Sequence, residues 1–394
     1  MAIRFTGIPA LLTAQFFSVF ADNALLFIGI ALLRANASPQ WQVPCLEQIF
    51  LVGFVVLAPF AGPLAERMPK GKLLFFSNGL KFVGASFMWA GIHPLLSYLV
   101  VGVGAVLYAT AKRSILVEQV PADKLVKMNG LLEGSSIVAI LVGAVAGGYL
   151  ADHSLSLGWK VLAALYFLSA VANCFIPNTL PRDVGAPVGR LRMLSNFVVV
   201  LRKMRGDRQI ALALYASSLV WASAIAIRLM AVVWASTVLG RSDLATPALL
   251  NGVVAIGIAV GAIFSARLVK LRHLSQVLAL AACVGVILMI FSVANNLLGA
   301  KVLMFVLGTM VGAVLIPLNS IVQYRGHTLV GAGNAVASQA FMEYGTAVIA
   351  LGLFALSQKA GMSLFSFNFA LGCMMLAGLS ALALRGRRVE VIAT

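Results

Sequence analysis

A few charged side chains interrupt the long apolar stretches of this sequence, and their chemistry needs an explanation. Asp22 lies beside Asn23 in an apolar stretch rich in aromatic residues. Arg228 is the sole basic residue of a different apolar stretch. An ionisable group in hydrocarbon is costly unless it is paired or wetted, so each is a candidate functional residue. A carboxylate at position 22 suits a substrate ammonium, a relayed proton or the guanidinium of Arg228. The alternative is an internal ion pair that holds the two halves together.

Cationic side chains at two places suit a phosphate group. A guanidinium binds phosphate or carboxylate through two parallel hydrogen bonds, so Arg228 fits an anionic headgroup or a gate. Snorkelling to the outer interface is its alternative. Lys112 and Arg113 form a second cationic point at the end of an apolar stretch. The excess of basic residues on cytoplasmic loops explains that pair equally well.

Two further carboxylates lie within apolar stretches. Glu133 follows Asn129 by four residues, which places both on one helix face. Glu343, like Asp22, falls about 20 Å along its helix, near the middle of a membrane. Both suit a proton or cation site, and helix-to-helix hydrogen bonding is the alternative. We interpret Lys81 as a snorkelling or loop-pairing residue rather than a ligand.

The sequence contains no pattern typical of an enzyme. Its four histidines lie near the ends of apolar stretches, and its four cysteines are widely spaced. No phosphate-binding loop, metal-ligand spacing or nucleophile arrangement is present. We therefore predict no catalytic activity, no cofactor and no metal, so a gradient would have to drive any active transport.

Composition identifies the elements that must position these charges. The 394 residues are 61% hydrophobic and 10% charged, against about 25% charged residues in soluble domains. A bilayer core of about 30 Å is spanned by about 20 apolar residues of helix. We predict an all-α membrane protein with twelve transmembrane helices in two six-helix bundles. The spans are approximately 8–34, 43–66, 72–92, 94–117, 125–151, 158–177, 209–239, 247–269, 274–294, 298–322, 329–357 and 361–384.

The positive charge of the chain is distributed unevenly between the two sides of these spans. Of the 29 Lys and Arg residues, 22 fall on the side that holds both termini, five on the other side and two within spans. Cytoplasmic loops carry the Lys and Arg excess, so both termini are predicted to be cytoplasmic. The net charge of +17 is thus a topology signal with some attraction to anionic membrane lipids, and nucleic acid is not an expected partner.

A long polar interruption divides the spans into two sets of six. We predict an N-terminal bundle over 1–177, a cytoplasmic linker over 178–208 and a C-terminal bundle over 209–394. Within the linker, Leu191 to Met204 forms either a short amphipathic helix on the cytoplasmic surface or a solvated connection.

Short segments of the two halves correspond. The basic hairpin Gly62 to Lys72 is echoed at Gly261 to Lys270, without the acid. This favours two parallel repeats with a binding site between them near mid-membrane. Small residues such as Gly143 with Gly147, and Gly257 with Gly261, are spaced four apart and predict close helix packing, either static or sliding.

The hairpin also carries a family resemblance. Its Gly62, Leu64, Ala65, Glu66 and Arg67, followed by a basic cluster that includes Lys70, resemble the loop between the second and third helices of major facilitator superfamily transporters. Glu66 stands where that family usually has Asp. The resemblance implies the major facilitator fold, and a cytoplasmic gate formed by Gly62, Glu66, Arg67 and Lys70.

Other segments resemble one branch of this superfamily, the bacterial lysophospholipid transporters. They are Asp22 to Phe27, Lys112 to Glu118, Lys124 to Glu133 and Gly331 to Glu343. The resemblance implies a flippase that moves lysophosphatidylethanolamine and related lysolipids from the outer to the inner leaflet of the bacterial inner membrane. An acyl-carrier-protein-dependent acyltransferase would then re-acylate them.

The resemblance also implies site residues. Asp22, Lys112 and Arg228 match the polar transport residues of that branch. We expect a monomer. The alternatives are a proton-coupled multidrug exporter, which would use Asp22, Glu133 or Glu343 as proton carrier, and a membrane binding or assembly protein that transports nothing. An integral acyltransferase is disfavoured because the sequence lacks a histidine-based site.

Overall fold

The computed structural model describes residues 7–38, 42–176, 190–240, 245–268 and 274–390. These residues form helices and contain no strand. The helices are α1 Gly7–Ala35, α2 Gln42–Arg67, α3 Lys70–Trp89, α4 Pro94–Gln119, α5 Ala122–His153, α6 Leu155–Cys174, α7 Arg190–Gly206, α8 Arg208–Val238, α9 Ala245–Leu268, α10 Leu274–Phe291, α11 Leu297–Val330, α12 Ala332–Lys359 and α13 Leu364–Glu390.

Each predicted span coincides with one helix of α1–α6 or α8–α13, which confirms the all-α fold class. Nine helices among the described residues are long and apolar enough to cross a membrane, and shorter apolar stretches lie in α9 and α10. The predicted end of the tenth span at residue 322 was wrong, because α11 continues to Val330. Polar residues such as Arg325 end the apolar run without ending the helix, since none of them breaks helical hydrogen bonding.

One compact unit comprises Met1–Met204 together with Gln323–Phe341, the end of α11 and the start of α12. In it, α1 packs against α5 and α6, α3 against α4 and α6, and α2 against α4. Gly147 of α5 touches α1 so closely that a Cβ there would lie 2.5 Å from the Cα of Ala24. The close helix packing predicted from the small residues of α5 is confirmed.

The second unit comprises Arg205–Val322 and Met342–Thr394. Here α10 packs on α13, and α8 packs on α9 and α13. A Cβ at Gly257 would lie 2.4 Å from the carbonyl oxygen of Phe305, and one at Gly261 would lie 2.0 Å from that of Thr309. The small residues of α9 therefore admit the backbone of α11, as their spacing predicted.

The predicted linker is partly helical. Its first part falls within residues 177–189, outside the described residues, and the helix predicted from Leu191 to Met204 is present as α7. Asp207 alone separates α7 from α8 and caps α8, because its carboxylate accepts a hydrogen bond from the Ile210 amide at 3.0 Å. The proposed domain boundaries and the surface location of α7 remain predictions.

Candidate functional site

Three helices of the first unit turn polar side chains into its core. The polar residues recur at intervals of three or four, so they share one face of each helix. They are Gln15, Ser18 and Asp22 on α1, Asn78 and Lys81 on α3, and Tyr166, Ser169 and Asn173 on α6. All eight are buried. Buried polar groups need partners. Six of the eight find them among these three helices, whereas Gln15 donates to the Leu132 carbonyl and to Ser136 Oγ on α5.

Asp22 and Lys81 form an ion pair at the centre of this cluster. The Lys81 Nζ lies 2.5 Å from the Asp22 Oδ2, and Lys81 is 1% exposed. The Tyr166 hydroxyl donates to the other carboxylate oxygen at 3.0 Å. The ring of Tyr108 lies 4.9 Å from the same ammonium. Each charge thus has its partner and additional contacts, which a buried pair requires for stability.

Hydrogen bonds extend outward from the pair. The Lys81 ammonium also donates to Ser18 Oγ at 2.8 Å, and that hydroxyl donates to Asn78 Oδ1 at 2.9 Å. The Asn78 amide donates to Ser169 Oγ at 2.6 Å, and Ser169 donates to the carbonyl of Ala14 at 2.6 Å. The network links α1, α3 and α6 and fixes the position of the Asp22 carboxylate.

The interpretation of Lys81 as a snorkelling or loop-pairing residue was wrong. Its ammonium turns into the bundle, where it pairs with the Asp22 carboxylate. Asp22 pairs with Lys81 of the same unit, a partner that none of the interpretations of Asp22 named. Asn78 and Lys81 are three residues apart, and this spacing was the signal for an inward polar face on α3.

Lys112 is a second buried cation, and its situation differs from that of Lys81. It is 8% exposed and has no hydrogen bond or ion pair within the part of the chain that the structure describes. Its electrostatic neighbours are Glu133, Arg113, Lys81 and Asp22. Burying an ammonium without a direct partner is unfavourable, so this position attracts an anion.

The other predicted residues of the first unit have defined partners. Arg113 Nη2 lies 3.1 Å from Glu133 Oε1, which joins α4 to α5. Asn129 is buried and donates to Gln323 Oε1 at 3.0 Å, which joins α5 to the end of α11. Asn23 donates to the carbonyl of Val19 in its own helix at 2.9 Å and thus does not extend the network.

Arg228 and Glu343 belong to the second unit. The side chain of Arg228 is exposed on α8, although Ile227 beside it is buried. Glu343 is 3% exposed on α12. The next residue, Tyr344, packs edge-on against Trp221 of α8 with ring centroids 6.0 Å apart.

The hairpin residue Glu66 holds the start of α12. Its Oε1 accepts a hydrogen bond from the Gly333 amide at 2.5 Å, and the residue Glu66 is 5% exposed. A carboxylate at a helix N-terminus satisfies a free amide and opposes the positive end of the helix dipole. Gly331, which separates α11 from α12, has a φ of +92°, and a Cβ there would lie 2.7 Å from the same carboxylate oxygen.

The remaining hairpin residues also make specific contacts within this unit. A Cβ at Gly62 would lie 2.8 Å from Asn334 Oδ1, so α2 closely approaches the start of α12. Lys70 is fully buried, with its Nζ 3.0 Å from Glu118 Oε1 of α4. Half-buried Arg67 lines a cavity of about 510 Å³, to which α7 contributes Lys203.

The architecture and the hairpin agree with a comparison of sequences. The sequence model described as Major Facilitator Superfamily matches residues 11–350. The chain belongs to this superfamily. It is 38% identical over 382 residues to the lysophospholipid transporter LplT of Shigella sonnei, across 97% of this chain and 96% of that protein. The lysophospholipid transporter LplT of an Escherichia coli strain matches with the same identity and coverage.

Solved structures of superfamily members share the fold. The human organic anion transporter TETRAN matches with a TM-score of 0.73 at 14% identity, across 95% of this chain and 99% of that one. The Escherichia coli fucose:proton symporter FucP matches with a TM-score of 0.72 at 13% identity, across 95% and 98%. As a superfamily member similar to transporters, the chain is a multi-pass membrane protein and not an enzyme, as the sequence predicted.

Proposed function

We propose that this chain is a lysophospholipid transporter. The full-length similarity to lysophospholipid transporters supports the substrate class and favours neither alternative function. The observation that carries the proposal is Lys112, a cationic residue that is 8% exposed and makes no hydrogen bond or ion pair among the described residues. A lysolipid phosphate supplies the negative charge that this position lacks.

The neighbourhood of Lys112 suits a zwitterionic headgroup. A phosphate bound there lies in the same electrostatic cluster as Glu133 and Asp22, whose carboxylates attract a headgroup ammonium. Both carboxylates are already paired, with Arg113 and Lys81 respectively. A substrate ammonium therefore exchanges with a protein cation, and transport through this cluster is coupled to breaking an ion pair.

We assign the remaining residues by the same reasoning. Arg228 and Glu343, in the second unit, are substrate-binding or gating residues. Asn129 and Asn23 support the cluster on their helices. Gly62, Glu66, Arg67 and Lys70 form the cytoplasmic gate, since Glu66 holds the amide end of α12 and must release it for that end to move.

The setting of the activity follows from this assignment. The chain acts as a monomer in the bacterial inner membrane, with both termini in the cytoplasm. It moves lysophosphatidylethanolamine and related lysolipids from the outer to the inner leaflet by alternating access. An acyl-carrier-protein-dependent acyltransferase re-acylates the product on the cytoplasmic side.

Leaflet-specific uptake of fluorescent lysophosphatidylethanolamine into spheroplasts tests the proposal. Lys112→Ala, Asp22→Asn and Arg228→Ala should each lower the initial rate about tenfold, because each removes a charge-assisted contact. Lys127→Ala, on the exposed surface of α5, should leave the rate unchanged. Uptake no faster than in cells lacking the chain would overturn the proposal, and drug sensitivity would be the next assay. Equal rates in wild type and all three variants would overturn the assigned site.

A further inference from the structure

The helix α7 carries a continuous apolar surface of which the protein covers only part. Phe197 and Met204 are buried: the ring of Phe197 packs edge-on against Phe341 at 5.3 Å, and Met204 Cε approaches Gly326. Leu191, Leu194 and Val198 are 84%, 41% and 47% exposed. Their spacing of three and four residues makes them one stripe along the helix, beside the buried face.

The charge of α7 identifies what can cover this stripe. The helix contains Arg190, Arg192, Arg202, Lys203 and Arg205 and no acidic residue. Arg202 follows Val198 by four residues and Arg205 follows it by seven, so both lie along the stripe and can extend their charged ends toward headgroups while their stems stay on the apolar surface. Apolar side chains bordered by Arg and Lys are typical of helices that lie in the interface of an anionic membrane. An acidic aqueous partner would satisfy the basic residues but would leave Leu191 and Leu194 in water.

A cavity beside the helix adds a place for a headgroup. It measures about 510 Å³, and α7 lines it with Asn196, Val199 and Lys203, which lie away from the exposed stripe on the helix circumference. Arg67 of α2 and Asn334 of α12 line it from the protein side. The cavity is also lined by Glu66, whose carboxylate accepts a hydrogen bond from the Gly333 amide. The two cations and two amides around the same space suit a phosphate with polar substituents.

We propose that α7 binds anionic phospholipid of the cytoplasmic leaflet. The stripe of Leu191, Leu194 and Val198 enters the interface of that leaflet, and the cavity takes the phosphate of a lipid such as phosphatidylglycerol between Lys203 and Arg67. Because α7 packs on Phe341 and Gly326, the bound lipid steadies the ends of α11 and α12 that lie in the first unit. This site is separate from the site proposed for the cargo.

A fluorophore on the stripe tests the insertion. The four cysteines are replaced by serine, and single cysteines at Leu194 or at Asn196 are labelled with an environment-sensitive dye in the full-length protein. In nanodiscs containing a quarter phosphatidylglycerol, the dye at position 194 should be quenched by lipids carrying a nitroxide on the acyl chain, and the dye at position 196, on the opposite side of α7, should not. Equal quenching at both positions, or none at position 194, would overturn the insertion.

Binding of a short-chain lipid tests the cavity. Dihexanoyl phosphatidylglycerol should raise the Tm of the purified protein, and Lys203→Ala should raise the required lipid concentration about fivefold, since one basic residue is lost. Lys127→Ala serves as the control and should behave as wild type. Equal stabilisation by inorganic phosphate, or by dihexanoyl phosphatidylcholine, would overturn the lipid assignment. Neither measurement involves transport, so the result is independent of the proposed cargo.

Discussion

Asp22 and Lys81 show how one unit of this transporter holds two opposite charges in its interior. The pair is joined to Ser18 and Tyr166, so each charge has more than one contact. A buried pair of this kind adds little net stability. Removing one partner alone is strongly destabilising, because the other charge stays buried without its partner. The pair is thus a place where substrate charge can compete with protein charge.

Removing one charge should cost more than removing both. Lys81→Met should destabilise the protein by about 3 kcal/mol, because the Asp22 carboxylate is left buried without its partner. The double variant Lys81→Met with Asp22→Asn should recover much of that loss. Thermal unfolding of the purified protein measures both. A double variant as unstable as Lys81→Met would show that the ion pair is not the source of the cost.

The close contact between α1 and α5 depends on the lack of a side chain at Gly147. Gly147 meets the backbone of α1, whereas nothing lies within 4 Å of a Cβ built on the adjacent Gly148. Backbone cannot move aside as a flexible side chain does, so α1 and α5 keep their separation only while position 147 is glycine. The neighbouring position carries no such restriction.

This difference gives a matched pair of variants. Gly147→Ala should destabilise the protein by about 1–3 kcal/mol through overpacking. Gly148→Ala should be neutral or slightly stabilising, since alanine is about 1 kcal/mol better than glycine in a helix. The comparison is the Tm of each variant in the same detergent, and a larger loss for Gly148→Ala would contradict the packing described.

The carboxylate of Glu66 should act on α12 through its charge as well as its hydrogen bond. Glu66→Gln keeps an acceptor for the Gly333 amide but removes the charge, and should cost about 0.5–2 kcal/mol through the helix dipole. Glu66→Ala should cost more because the amide also loses its acceptor. Thermal unfolding of both variants at low and high salt separates the contribution of the charge from that of the hydrogen bond. Equal losses of stability in Glu66→Gln and Glu66→Ala would show that only the charge matters.

The distribution of basic residues predicts the orientation of the whole chain. Ser363→Cys, between α12 and α13, should react with a membrane-impermeant maleimide in cells whose outer membrane has been permeabilised. Ser195→Cys, on α7, should react only after the inner membrane is opened. Both positions are exposed in the structure. Because Ser195 lies beside the apolar stripe of α7, Lys72→Cys, at the exposed end of the basic hairpin, serves as a second cytoplasmic position and should give the same result. The reverse pattern would refute cytoplasmic termini.

The sequence specifies the positions of the helices well because apolar length is a local property. The partner of a charge is not local, which explains why the sequence indicates a role for Asp22 but gives Lys81 the wrong one and does not single out Tyr166 or Asn78. Their positions on α3 and α6 matter only once those helices pack against α1. The end of α11 was misplaced for a related reason, since loss of apolarity at Arg325 ends a span without ending a helix.

The glycine between α11 and α12 has an evolutionary consequence. Position 331 must adopt a positive φ, and it must also leave space for a glutamate side chain at position 66. A shorter acid at position 66 needs less space beside position 331 but does not change the positive φ required there. Asparagine tolerates a positive φ better than most residues do. Among related sequences, residues other than glycine at position 331 should therefore occur mainly beside aspartate at position 66. An alignment would reveal this as covariation between two positions far apart in the chain.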